Sequence, residues 1–132
     1  MYNGVYTAEQ YAYMHDTLMK WLKEKIAGGS LGRKLREMGI LDVAVYGANE
    51  LGRMACHDIE GCVTVSAYID KNAVRFQGMV DKKPVLDLDH LELLPEDNYI
   101  LVTPEFYFRE IMEDLTDRGV EMNRILSLSM VV

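Results

Sequence analysis

Apolar positions near the start of the chain recur every three or four places. Tyr11, Met14, Leu18, Trp21, Leu22 and Ile26 fall on one stripe of a helix. Thr7 followed by Gln10 supplies a capping box at its start. Gly28-Gly29 stops it, Ser30 caps a shorter helix through Met38, and Gly39 closes that one. The stripe reads first as a face packed on the rest of the protein. The alternative is a dimerisation or partner-docking helix, a role that Tyr2, Tyr6, Tyr11 and Tyr13 suit equally.

From residue 42 the period changes. Residues 43–46 read as a strand, 51–59 as its helix and 63–69 as a second strand ending at Asp70. A loop over 71–83 leads to a short third strand at 84–86, and Asp87 or Asp89 caps a brief helix through Leu94. Residues 99–103 form a fourth strand. Thr103 then serves as N-cap and Pro104 as the first residue of a helix running to Arg118, stopped by Gly119. Residues 124–128 make the last strand. Apolar strands joined by crossovers imply an α/β fold: a Rossmann-like, doubly wound, parallel five-stranded sheet in the order 3-2-1-4-5. The expected organisation is an N-terminal helical extension (1–40) and a nucleotide-binding domain (41–132).

Composition narrows the partners. The 132 residues suit one ordinary domain, and 49% hydrophobic with 27% charged residues is enough to build a core without disulfides. A formal net charge of −7 disfavours nucleic acid and anionic membrane surfaces, which attract excess Lys and Arg. Cys56 and Cys62 make no C-x-x-C, and His15, His57 and His90 have no zinc spacing. Neither a signal peptide nor an apolar run of the ~18 residues a membrane span requires is visible, so a cytoplasmic protein is expected.

Candidate chemistry concentrates after the first strand. The run Gly47-Ala48-Asn49-Glu50-Leu51-Gly52 is a G-x-G-x-x-G fingerprint whose middle glycine is Asn49. Gly47 permits the tight turn, and Gly52 lets the helix approach the sheet. Asn49 obstructs the approach of a pyrophosphate, yet it tolerates left-handed backbone and can donate from its amide. Glu50 competes with a phosphate for the helix's positive end, whereas Arg53 can offset it. Asp70, 23 residues beyond Gly47, stands where an acidic residue accepts from ribose hydroxyls and favours NAD over NADP, a preference softened by Lys71. Its alternative role is to cap the loop at Lys71-Asn72. Thr103 lines the pocket opposite Gly47 or merely caps its own helix. One ring of Phe106-Tyr107-Phe108 is available to stack on a base, though core packing explains all three.

Catalytic patterns are missing. No tyrosine has a lysine four positions later, and there is no G-x-S-x-G elbow or Walker lysine. The neighbours Cys56 and His57 point about 100° apart on a helix, a poor nucleophile–base pair.

Taken together, segments 43–53, 67–72, 83–86, 100–104 and 124–128 resemble the small Rossmann-like nucleotide-binding domain of bacterial polysaccharide and sugar-nucleotide biosynthesis proteins. Members include the N-terminal domains of nucleoside-diphosphate-sugar dehydratases and of PglD-type sugar acetyltransferases. The resemblance covers roughly residues 41–132. It implies NAD in the dehydratases and a UDP-sugar in the acetyltransferases, with Gly47, Asn49 and Gly52 as the phosphate loop and Asp70 as the ribose or sugar-base contact. Without a catalytic partner domain it implies binding rather than turnover. Two other readings stay open: a ligand-free scaffold acting as a homodimer through its N-terminal helix, and a non-catalytic part of an oxidoreductase or epimerase completed by another chain.

Overall fold

Val43 and Val45 are buried on one side of the first strand and Ala44 and Tyr46 on the other, which is why the strand reads as an unbroken apolar run. The structure, a computed structural model, describes residues 7–132; Tyr2, Tyr6 and the beginning of the N-terminal extension lie outside the described residues. The elements are α1 (Ala8–Ile26), α2 (Leu31–Glu37), β1 (Asp42–Tyr46), α3 (Glu50–Ile59), β2 (Thr64–Ile69), β3 (Met79–Val80), β4 (Lys83–Leu86), β5 (Tyr99–Val102), α4 (Phe108–Asp117), β6 (Ile125–Ser127) and α5 (Leu128–Val131).

The fold is α/β, with a mostly parallel sheet in the order β3-β4-β2-β1-β5-β6. The expected count of five strands is corrected to six. The added strand, β3, pairs antiparallel with β4 at the sheet edge, Met79 facing Pro84 and Val80 facing Lys83. The two residues between them, Asp81 and Lys82, have φ of 49° and 68°. Such hairpin turns favour Asn-Gly or Asp-Gly, so an Asp-Lys pair gives no turn signal and the segment reads as plain loop.

A bulge alters the second strand. Val43 pairs with Val65 but Ala44 pairs with Ala67, leaving Ser66 over; its hydroxyl donates to Asn98 Oδ1 at 3.0 Å. The extra residue reverses the alternation, so Val65 and Tyr68 share one face. That face is covered by α1, α2, α3 and α5 through Trp21, Leu31, Leu35, Ile59 and Leu128. The opposite face is covered by α4 and the 3-10 turn Leu88–Leu93, through Leu88, Ile111 and Leu115.

The helical leader therefore packs on the sheet, but along only one edge of the expected stripe, where Trp21 is buried and Met14 half-buried. Thr17 and Trp21 are the buried residues of α1, while Tyr11, Leu18, Leu22 and Ile26 are 58%, 41%, 52% and 79% exposed. Two polar anchors tilt the helix this way. Trp21 Nε1 donates to Asp58 Oδ2 at 2.8 Å, and Thr17 Oγ1 donates to Glu105 Oε2 at 3.4 Å.

Other boundaries moved for local reasons. The segment after β5 opens as a 3-10 turn, Glu105–Tyr107, and becomes α-helical only at Phe108. Thr103 is not its side-chain cap, because the hydroxyl turns back to donate to Tyr46 O at 2.8 Å. The last strand ends at Ser127 because α5 begins at Leu128.

Candidate functional site

The carboxyl ends of β1 and β2 open into a cleft of about 390 Å³. Its lining comes from four places: the β1–α3 turn, the segment after β2, the segment between β5 and α4, and α4. In open α/β sheets this end of the strands is where ligands gather, and the volume suits a small molecule.

The turn is built around Gly47. Its φ of +100° lies in the region closed to side chains, and a Cβ there would stand 2.8 Å from Thr103 Oγ1 and 3.2 Å from Pro104 Cδ. Gly52 is held just as tightly: a Cβ would fall 1.8 Å from the Gly47 carbonyl oxygen. Both glycines therefore fix the junction between β1 and α3.

Asn49 differs from expectation. Its backbone is extended, φ −79° and ψ −172°, so left-handed tolerance is not what the position uses. Its side chain makes no capping hydrogen bond to α3. Instead its Oδ1 accepts from Arg75 Nη2 at 3.0 Å, drawing a guanidinium to the start of the helix. Arg75 also lies over the Phe76 ring, 5.0 Å from the centroid. A helix start and an arginine together present the two groups that recognise phosphate.

Asp70 clamps both loops. Its Oδ2 accepts from Ala48 N at 3.1 Å, and its Oδ1 accepts from Asn72 N at 2.9 Å. The loop-capping role thus operates, and it reaches across to the glycine turn. Lys71 extends to Asp114 of α4 at 3.5 Å.

Of the residues singled out in the sequence, Gly47, Asn49, Asp70 and Lys71 line the cleft. Ala48, Gly52 and Thr103 are buried in its framework instead. Leu51 packs against the core, and Glu50 borders a different groove, between α1 and α3. The cleft also recruits Tyr46, Asn72, Arg75 and Tyr107, with Glu110 and Asp114 from α4. Arg75 was hidden in a segment read as loop, and Glu110 and Asp114 on a helix face that looks merely solvated. Phe106 stacks edge-on against Tyr13 at 5.7 Å, while Tyr107 and Phe108 pack on the core below α4.

Cys56 and His57 do not form a nucleophile–base pair. Cys56 is buried, its thiol donates to Glu60 Oε1 at 3.1 Å, and burial pushes its pKa up to about 11. It stays protonated at neutral pH, and its neighbour His57 is exposed on the other side of α3. Among the described residues, no cluster of His, Cys, Asp and Glu is arranged to hold a metal ion, and no helix is long and apolar enough to cross a membrane. No protein-family model and no curated protein sequence matches the chain.

Proposed function

We propose that this protein is a nucleotide or sugar-nucleotide binding module, Rossmann-like in fold and not catalytic by itself. The observation that carries the reading is the Asn49–Arg75 contact at the start of α3, inside a cleft at the carboxyl end of the sheet. Fingerprints of this kind place bare backbone at the middle position so that a pyrophosphate can approach. Here an amide occupies that position and holds a guanidinium beside it. The phosphate is then met by a cation as well as by the helix's N–H groups, which offsets the obstruction by the side chain and the charge of Glu50. Asp70, anchored to both loops, presents its remaining lone pairs to ribose or sugar hydroxyls. NAD and UDP-sugars are the candidate ligands, and surface-polysaccharide or sugar metabolism in a bacterial cytoplasm is the setting the resemblance suggests.

The test is a thermal-shift panel with NAD, NADP, ADP, UDP, UDP-glucose and coenzyme A. A ligand at ~100 times its dissociation constant adds about 2.7 kcal/mol, which raises the melting temperature of a domain this size by roughly 10 °C. A shift with one ligand class supports the reading. A flat panel at millimolar ligand counts against it.

A second reading is supported by α1. Leu18, Leu22 and Ile26 stay exposed on a helix whose other side is anchored, and Met54 of α3 extends the patch. That face suits a second copy of the chain. Sedimentation at two protein concentrations separates the readings, since only this one requires a dimer.

A further inference from the structure

Tyr46, the last residue of β1, is 4% exposed and lines the cleft, and its hydroxyl has no hydrogen-bond partner. Its ring packs with Ile69 and Ile111 beneath α4. Burial, followed by the nearby charges of Asp114 and Asp70, pushes the phenol up to about 12, so it stays neutral and remains a donor. Buried polar groups are nearly always satisfied; the Tyr46 oxygen is buried, and a partner reaching it from the cleft would have to displace the residues that cover it. The charges around the cleft are unevenly placed, with the Asp70 carboxylate between its two ends, tied to the amides of Ala48 and Asn72. Arg75 stands with Asn49 at the α3 end, whereas Glu110 and Asp114 stand at the α4 end, where Lys71 offsets Asp114 in part. An anion is repelled from the α4 end and a hydrogen-bond donor is attracted to it.

We infer that the α4 end of the cleft takes the sugar portion of a phosphorylated ligand, with Tyr46 Oη bonded to one sugar hydroxyl and Asp114 and Glu110 accepting from others. This rests on the nucleotide reading and assigns the ligand's direction within the same site: phosphate toward Arg75, sugar toward Tyr46.

Titration calorimetry tests it with pyrophosphate as the sugar-free probe and UDP-glucose and ADP-ribose as sugar-bearing probes. Tyr46→Phe is expected to weaken a sugar-bearing probe about tenfold and to leave pyrophosphate unchanged. Asp114→Asn, on the partly exposed side of α4, is expected to weaken the same probe less. Unchanged sugar-probe affinity in Tyr46→Phe overturns the inference while leaving the nucleotide reading in place, and equal loss for pyrophosphate overturns it too. If the unaltered protein binds no probe, both fall. The melting temperature of ligand-free Tyr46→Phe is an independent check: it should equal or exceed that of the parent, and a drop means the hydroxyl has an internal partner and overturns the assignment.

Discussion

Trp21 Nε1 donates to Asp58 Oδ2 at 2.8 Å, and this bond decides how the N-terminal helix sits on the sheet. The same carboxylate accepts from Lys25 Nζ at 2.5 Å and from Leu31 N at 3.0 Å. One side chain of α3 thereby holds α1 and the start of α2. Its partners are 27 to 37 residues away in sequence, so no local pattern announces it.

Asp58→Ala should cost about 3 kcal/mol, because the indole and the Leu31 amide are left as unsatisfied donors in a partly buried site. The melting temperature should fall by roughly 10 °C. Trp21→Phe keeps the apolar contact and loses only the bond, so a smaller loss of about 1 kcal/mol is expected. Chemical denaturation of both variants checks the ranking.

The same site gives a pH dependence. Burial alone would raise the Asp58 pKa, but the bonds from Lys25, Leu31 and Trp21 outweigh it and hold it below the usual carboxylate range. A depressed folded-state pKa stabilises the protein above the unfolded value of about 4. That contribution is lost as pH falls through the folded value. The stability gap between the parent and Asp58→Asn should be largest near pH 7 and should shrink below pH 4. A constant gap from pH 7 to pH 3 would show that the charge plays no part.

Much of the fold was legible. The capping box of Thr7 and Gln10 forms as read, with bonds of 3.1 and 2.9 Å, because capping is local chemistry. The β1–α3 junction was legible because Gly47 is required there by its positive φ and Gly52 by a close backbone contact. What was hidden depends on distant partners or on turns without their usual residues. The Asp81-Lys82 hairpin lacks glycine, and the Ser66 bulge becomes visible only against β1. The apolar stripe of α1 was only a partial guide: Trp21 is buried as read, but Asp58 and Glu105, far along the chain, rotate the buried side toward Thr17 and leave Leu18, Leu22 and Ile26 exposed. Within the site, the glycine turn was readable, but Arg75 and Asp114 come from segments carrying no fingerprint, and Tyr46, beside the turn, read only as a strand residue.

Glu105 is the second hidden anchor. It is 8% exposed, accepts from Thr17 Oγ1, and takes the Ser129 amide at the start of α5. Glu105→Ala should destabilise the protein by about 2 kcal/mol through those orphaned donors. Amide exchange should quicken in α5 and around Thr17, while β1 keeps its protection.

Gly52→Ala tests the close approach in the β1–α3 turn. The added methyl would fall 1.8 Å from the Gly47 carbonyl oxygen, so the backbone of the turn or of α3 must shift. A loss of about 3 kcal/mol or more is expected. Equal stability by urea unfolding would mean that α3 shifts freely from the sheet.

Arg75→Ala removes the one cation held by Asn49, and Asn49→Ala removes its holder. Arg75→Ala should weaken any phosphate-bearing ligand by about tenfold, since charge-assisted hydrogen bonds to phosphate carry such values. Asn49→Ala should weaken it less. Both variants should melt within about 2 °C of the parent, because the contact is exposed.

The most direct test of the proposed nucleotide site is an amide-resolved NMR titration of the uniformly labelled protein with UDP-glucose and, separately, NAD. The predicted result is saturable shifts confined to residues 47–52, 70–75 and the first turns of α4, and their loss in Arg75→Ala. Silence of those amides at millimolar ligand, or shifts gathered on Leu18, Leu22 and Ile26 of α1, would contradict it.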